Sequence, residues 1–94
     1  MTPEAKVKAA VKKMLTTSHA YFFSPYGAGM GRAGIPDIIA LKNGHMFGIE
    51  CKAGKGKTTA LQERELHAIE AAGGTALVIN EHNMDELQKA LDEH

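Results

Sequence analysis

The stretch "IPDIIALKNGHMFGIECK" (Ile35–Lys52) consists of two apolar runs joined by an Asn-Gly pair. Asn-Gly between apolar runs is typical of a two-residue type I′ turn, because both central residues of that turn need a positive φ. We therefore predict a β-hairpin whose strands are Ile38–Leu41 and Met46–Cys51. The hairpin decides the fold, since its register determines which of its charged residues face each other.

The charged residues of this hairpin lie near the end opposite the turn. Pairing of Lys42 with His45 sets the register, and Asp37 then falls opposite Glu50, with Cβ atoms about 4.5–5.5 Å apart. Lys52 points to the same face as Glu50, because residues i and i+2 of a strand share a face. Facing carboxylates repel each other, but a divalent cation between them would hold both, because hard cations prefer carboxylate oxygens. The register thus predicts a metal site; an ion pair at a sheet edge, or a bulge that shifts the register, is the alternative.

The other side chains of the hairpin strands are mostly apolar on both faces. We therefore expect other elements to cover both sides of the hairpin. Gly48 falls opposite Ile39 in this register and would leave space beside the two acids. Charges inside a sheet that is covered on both sides are not there for solvation, which favours a functional role for them.

Signals outside the hairpin predict a mixed sheet flanked by helices, in the order α-β-β-β-α-β-α. Thr2 is a suitable N-cap for a first helix, with Pro3 at N1. Gln62 stands three residues after Thr59, the spacing of a capping box that opens another helix. The remaining expected elements are a strand at Ala20–Phe23, a glycine-rich loop over residues 24–34, a flexible loop over residues 53–58, a strand at Thr75–Ile79 and a last helix from an Asn83 cap to about Leu91.

The composition of the 94 residues is that of a single small α/β domain, residues 1–94. No apolar run is long enough for a membrane span, the first residues lack the apolar core of a signal peptide, and there is one cysteine, so we expect a cytoplasmic protein with no membrane partner. Residues 1–57 carry nine Lys and Arg against three acids, a net +6, which residues 58–94 balance with −6. The basic half favours a polyanionic partner, although solvated helix faces of different sign would give the same split.

Two segments, "GIPD" (Gly34–Asp37) and "ECK" (Glu50–Lys52), resemble the signature of PD-(D/E)xK nucleases. With the glycine-rich loop before them, the hairpin between them and Gln62 in the next helix, the chain is similar to the virus-type replication-repair nuclease (VRR-Nuc) domain. The resemblance extends from the first helix to "ALVI" (residues 76–79). It implies a restriction-endonuclease-like core.

The same resemblance implies roles for individual residues. Residues that match Asp37 and Glu50 bind Mg²⁺ or Mn²⁺, and the main-chain carbonyl at Cys51 completes the metal's protein ligands. The residue that matches Lys52 orients or activates the attacking water and offsets phosphate charge, as phosphodiester hydrolysis requires. The residue that matches Gln62 supports the site, and the capping-box role predicted above is compatible with that.

Further residues are assigned more loosely. Acids at the first-helix position of Glu4 contribute to the site in related nucleases; a favourable charge at the helix N-terminus is the other explanation. Tyr26 and Arg32, in the loop beside the site, are expected to contact DNA unless they are merely solvated. Lys55 and Lys57 are expected to reach DNA phosphates as point charges.

The function that the resemblance implies is a Mg²⁺- or Mn²⁺-dependent, structure-specific DNA endonuclease. Its substrate would be branched DNA, a Holliday junction or a flap, during viral or phage replication, recombination or repair in the host cell cytoplasm. Symmetric cutting of two strands requires two-fold symmetry, so we expect a homodimer. A replication helicase is a further candidate partner, which the sequence alone does not identify.

Three other functions have partial support in the sequence. "GMGRAG" (Gly29–Gly34) matches a dinucleotide fingerprint, but a strand rather than a helix follows it, so that reading is rejected. "CKAGKGKT" (Cys51–Thr58) sits between a strand and a helix like a phosphate-binding loop, although Cys51 replaces its first glycine. A non-catalytic DNA-binding module is the remaining alternative, and it predicts that Asp37 and Glu50 are dispensable.

Overall fold

The computed structural model describes residues 1–25 and 32–94. Its elements are α1 (Pro3–Thr17), β1 (Tyr21–Phe23), β2 (Ile38–Lys42), β3 (His45–Cys51), α2 (Ala60–Ala71), β4 (Thr75–Ile79) and α3 (Met84–Asp92). The predicted order and the mixed sheet flanked by helices are confirmed, with boundaries shifted by one residue at several ends. Among the described helices, none is both long enough and apolar enough to cross a bilayer.

The four strands form one sheet in the order β1-β2-β3-β4. The first two pairings are antiparallel and β3 pairs with β4 in parallel. Asn43 and Gly44 have φ of 51° and 81°, as the type I′ turn requires. The predicted register is confirmed from the turn back to the Ile38–Ile49 pair, where the ladder ends one step short of Asp37 and Glu50.

The core lies between one face of the sheet and the pair of helices α1 and α3. Burial of these apolar side chains supplies the main stabilisation of the fold. The fully or almost fully buried members of this core are Val7, Val11, Leu15, Ile38, Ala40, Phe47, Ile49, Cys51, Ile79, Leu87 and Leu91. Glu50 points to the opposite face of β3 from Phe47, Ile49 and Cys51.

Helix α2 covers that opposite face, over β3 and β4. Gly48 makes this packing possible, since a Cβ there would lie 2.3 Å from Cδ1 of Ile69. The prediction that Gly48 leaves space beside the acids is therefore wrong, because a side chain of α2 fills that space. The sequence also predicts that other elements cover both sides of the hairpin. This cover is incomplete, since Leu41 on β2 is 46% exposed, and Tyr21, its partner on the neighbouring strand β1, is 69% exposed.

The caps show how local sequence starts each helix. Thr2 Oγ1 accepts a hydrogen bond from the Ala5 N–H, as expected of an N-cap. Asn83 does precede α3, but its side chain makes no cap hydrogen bond. Its amide instead accepts from the Asn80 N–H and donates to the Val78 carbonyl, so it braces the β4–α3 connection.

Candidate active site

Glu50 is the centre of the polar cluster at the end of β3. The residue is only 3% exposed, because β3 is an inner strand and α2 packs over its polar face. Its Oε2 lies 3.5 Å from Lys52 Nζ and accepts a hydrogen bond of 2.9 Å from Gln62 Nε2. Its Oε1 is buried and has no hydrogen-bond partner among the described residues. One oxygen of a buried carboxylate is thus without a partner in the described part of the chain, as a ligand-binding oxygen would be.

Asp37 lies in the bend that leads into β2. Its Oδ2 accepts a 2.9 Å hydrogen bond from the main-chain N–H of Cys51. Where the ladder between β2 and β3 ends, a side chain takes over the role of a main-chain acceptor. This contact holds Asp37 beside Glu50, although the two residues do not form the ladder pair that the sequence predicts.

The surroundings of Glu50 disfavour its ionised form beside a second carboxylate, Asp37. Burial, and then the negative charge of Asp37, raise the pKa of Glu50 to about 7, while Lys52 acts in the opposite direction. The ammonium of Lys52 is therefore too weak a partner to offset the burial of its neighbour. A cation of higher charge in contact with Glu50 would stabilise the ionised form.

These groups fit a divalent cation. Among residues 1–25 and 32–94, no three His, Cys, Asp or Glu side chains converge as a metal cluster, so a site here has to rely on two carboxylates. The two are of the hard oxygen type that Mg²⁺ and Mn²⁺ prefer, and Mg²⁺ typically binds through one or two carboxylates while keeping several waters. The unpartnered Oε1 of Glu50 offers one ligand atom. The contribution of the Cys51 carbonyl stays a prediction.

Helix α1 adds a residue that the sequence analysis did not single out. Lys8 Nζ lies 3.5 Å from Asp37 Oδ1 and 3.7 Å from Glu4 Oε2. Burial acts to lower the pKa of Lys8, but the charge and hydrogen bonding of Asp37, together with the charge of Glu4, outweigh burial, and the pKa is raised. Glu4, the predicted accessory acid, thus connects to the site through Lys8. The i, i+4 spacing of Glu4 and Lys8 was a usable signal, since such pairs share one helix face.

Gln62 contacts both the start of α2 and Glu50. Its Oε1 accepts from the Thr59 N–H at 2.9 Å while its own N–H donates to Thr59 Oγ1, which completes the capping box. Its Nε2 meanwhile donates to Glu50. One side chain therefore starts α2 and orients the carboxylate on β3.

Four residues are expected to contact DNA: Tyr26, Arg32, Lys55 and Lys57. Tyr26 falls outside the described residues. Arg32 Nε donates to both carboxylate oxygens of Glu65 at 3.1 Å, which gives it a structural partner on α2 and lowers the pKa of Glu65. Lys55 and Lys57 are exposed in the loop between β3 and α2. For all four, DNA contact stays a prediction.

Comparison of the sequence with known protein families identifies the family of this chain. The sequence profile of the archaeal Holliday junction resolvases (Hjc) matches residues 20–88. The chain belongs to the Hjc family. The matched range includes Asp37, Glu50, Lys52 and Gln62, whereas Glu4 and Lys8 on α1 lie before it.

One curated relative and one solved structure are also similar to the chain. The chain is 35% identical over 63 residues to p44, inferred to be a nuclease, of Acyrthosiphon pisum secondary endosymbiont phage 1; the match covers 66% of this chain and 68% of p44. A solved structure titled VRR_NUC domain superposes with a TM-score of 0.76 at 22% identity, over 100% of this chain and 98% of that one. The prediction of a nuclease family with the restriction-endonuclease-like fold of VRR-Nuc domains is therefore confirmed.

Proposed function

We propose that this Hjc-family chain, acting as one domain over residues 1–94, is a Mg²⁺- or Mn²⁺-dependent endonuclease that hydrolyses phosphodiester bonds in branched DNA. The observation that carries the proposal is the buried Glu50, whose Oε1 lacks a partner among the described residues beside a second carboxylate, Asp37. In a carboxylate with a purely structural role, both buried oxygens would be expected to have hydrogen-bond partners. A cluster that leaves one free is better explained by a metal ligand.

Each residue of the cluster has a distinct task in this proposal. Asp37 and Glu50, with the Cys51 carbonyl, hold the cation, which when bound supplies Lewis-acid chemistry and a water of lowered pKa. Lys52 donates hydrogen bonds to the attacking water and to the scissile phosphate, and its positive charge offsets the charge that develops there. The Lys52 ammonium is held for this task 3.5 Å from Glu50 Oε2, with its side chain 15% exposed. Gln62 fixes the orientation of Glu50.

Branched DNA is the substrate proposed because the family profile that matches the chain is that of Holliday junction resolvases. A four-way junction is resolved by two cuts related by two-fold symmetry, and the cluster described here supplies one set of catalytic residues. Two copies of the chain related by a two-fold axis would supply both. The active form is therefore proposed to be a homodimer.

The proposal is tested with Asp37→Asn and Lys52→Ala in a cleavage panel of four-way junction, flap, fork and linear duplex DNA. Wild-type protein should cut a branched substrate in Mg²⁺ or Mn²⁺ and not in EDTA, and each variant should bind the same DNA but cut it at least about 10²-fold more slowly. Asp85→Asn, an exposed acid on α3, is the matched control and should cut normally.

The outcomes separate the alternatives. Undiminished cutting by either variant would refute the assignment of the site. A wild-type protein that binds branched DNA but cuts nothing in either metal would instead support the non-catalytic DNA-binding module. A monomer in light scattering at micromolar concentration, with and without junction DNA, would refute the homodimer.

A further inference from the structure

A small cavity adjoins the carboxylate cluster on the α1 side. It has a volume of about 200 Å³ and is lined by Lys8, Lys12, Ser24 and Asp37, together with apolar side chains of the loops before and after the undescribed segment. Pockets for drug-sized ligands are usually about 300–1,000 Å³, so this one suits a smaller group. Its polar lining comes from three separate parts of the fold: α1, the end of β1 and the start of β2.

The two lysines give this cavity its charge. Lys8 and Lys12 stand at i and i+4 on α1, so both ammonium groups lie on one face of the helix. Lys8 is already paired with Asp37 at 3.5 Å. Lys12, by contrast, has no carboxylate within 4 Å of its ammonium among the described residues. Lys12 is half-buried, and an ammonium that lines a cavity without an acidic partner among the described residues is suited to an anionic ligand.

The lining also indicates which anion fits. Three donor groups, the two ammoniums and the Ser24 hydroxyl, suit a tetrahedral oxyanion, and lysine is a common point-charge ligand of phosphate. The two lysines disfavour a further cation in the cavity besides the one proposed at Asp37 and Glu50. Phosphates of a DNA strand repeat about every 3.4 Å along the helix axis. Because Asp37 itself lines the cavity, a strand whose scissile phosphate lies at Asp37 and Glu50 would pass beside the cavity and could place a neighbouring phosphate in it.

We propose that Lys12 and Ser24, with Lys8 between them and the carboxylates, form a subsite for a DNA backbone phosphate next to the scissile one. This inference rests on the proposed function and deepens it, since it assigns the path of the cut strand along α1. Lys12 would act as a positioning residue that sets which phosphodiester reaches the carboxylates. Lys8 would link the subsite to Asp37. A phosphate bound in the subsite would therefore affect the position of the Asp37 carboxylate, and a cation bound at the carboxylates would affect the subsite.

The test measures binding without cleavage, in the chain of residues 1–94 that carries Glu50→Gln. The probes are synthetic four-way junctions in which single internal phosphates of one strand are replaced, position by position, with neutral methylphosphonate. Lys12→Ala should weaken junction binding about 5- to 10-fold near 0.1 M salt and reduce the slope of log K against log salt by about 1. One methylphosphonate position should weaken binding in the Lys12 protein and have no effect once Lys12 is alanine.

Controls separate the subsite from general attraction between charges. Lys13→Ala removes the same charge from the adjacent, exposed position of α1, which does not line this cavity. It should change binding less than twofold and couple to no phosphate position. Lys12→Arg should retain most of the affinity, and Ser24→Ala should lose about 2- to 3-fold. Thermal unfolding of each variant should match that of the Glu50→Gln parent.

The subsite is refuted if Lys12→Ala and Lys13→Ala behave alike, or if no methylphosphonate position couples to Lys12. Coupling only to a 5′-terminal phosphate would also refute it, because the proposal is for an internal phosphodiester. Failure of the proposed function gives a different result. In that case the wild-type protein cuts no branched DNA in Mg²⁺ or Mn²⁺, whatever the binding assay reports.

Discussion

Gln62 connects the first turn of α2 to Glu50 on β3 through a 2.9 Å hydrogen bond from its Nε2 to Oε2 of the carboxylate. The other end of the same amide accepts from the Thr59 N–H and caps the helix. An amide can do both because it carries a donor and an acceptor on one planar group. Helix start and carboxylate orientation are thereby set by one side chain.

Gln62→Glu should separate these two roles. Glutamate is also a capping-box residue, so helix α2 should still start at Thr59. It cannot donate to Glu50, however, and it adds a negative charge beside a buried carboxylate. We expect about 1–3 kcal/mol of destabilisation in EDTA, seen by urea denaturation, and at least about tenfold slower cleavage.

Gln62→Ala is the companion variant. Alanine loses the hydrogen bond with Thr59 as well as the one with Glu50. Loss of the cap at the start of α2 should lower the free energy of unfolding by a similar amount. If Gln62→Glu cuts as fast as the wild type, the contact with Glu50 has no part in catalysis.

Glu50→Gln should change the pH dependence of stability in the absence of metal. The pKa of Glu50 is raised from 4.5 to about 7 in the folded protein, mainly by burial and then by Asp37. Between these two values the folded state binds a proton that the unfolded chain releases, so the stabilisation present at low pH is lost as pH rises towards 7.

In EDTA, the free energy of unfolding of the wild type should therefore fall by about 1–3 kcal/mol more than that of Glu50→Gln between pH 5 and pH 8. Urea denaturation at several pH values gives the comparison. Parallel pH profiles for the two proteins would show that Glu50 is not the buried acid responsible.

Addition of Mg²⁺ or Mn²⁺ should stabilise the wild-type protein above pH 7. A cation that binds only the folded state adds about 2.7 kcal/mol when its concentration is 100 times the dissociation constant. The melting temperature should rise with metal concentration in the wild type and stay constant in Glu50→Gln. Asp85→Asn, the exposed acid on α3, should respond like the wild type. An equal response in Glu50→Gln would mean that the ion binds elsewhere.

Gly34→Ala should disturb the segment that delivers Asp37 to the site. Gly34 has a φ of +89°, and a Cβ there would lie 2.4 Å from the main-chain oxygen of Leu61 in α2. Backbone strain and a clash with backbone atoms together should cost about 2–4 kcal/mol.

Gly44→Ala provides the matched control for Gly34→Ala. Its φ is +81°, but a Cβ there meets nothing within 4 Å, so only the strain of about 1 kcal/mol applies. Cleavage should fall in Gly34→Ala and not in Gly44→Ala. Equal destabilisation of Gly34→Ala and Gly44→Ala would show that the close approach of residue 34 to α2 does not contribute to the free energy of unfolding.

Features that depend on local chemistry were predictable from the sequence. The Asn43-Gly44 turn determines the register because its positive φ values are available to few other residue pairs. The capping box of Thr59 and Gln62 is likewise complete within four residues. The turn signal placed Asp37 near Glu50, whereas the expectation that Gln62 supports the site came from the resemblance to VRR-Nuc domains.

Features that depend on how helices meet the sheet were not predictable. The space above Gly48 is taken by Ile69, and nothing local to the hairpin indicates which side chain of α2 will lie there. Lys8 is on α1, far from Asp37 in sequence, and its contact depends on how that helix packs on the opposite face. Asn83 lost its predicted cap because Asn80 and the Val78 carbonyl compete for its amide.

The hydrogen bond from the Cys51 N–H to Asp37 has a consequence for how this site would decay in evolution. Asp37 closes the hairpin where the ladder stops, so selection for foldability alone favours a residue there that accepts this bond, and asparagine serves as well as aspartate. Selection for foldability alone disfavours Glu50, because its buried charge destabilises the folded protein when no cation has to be bound. In a descendant lineage that has lost catalysis, position 37 should drift between Asp and Asn, while position 50 should turn neutral early.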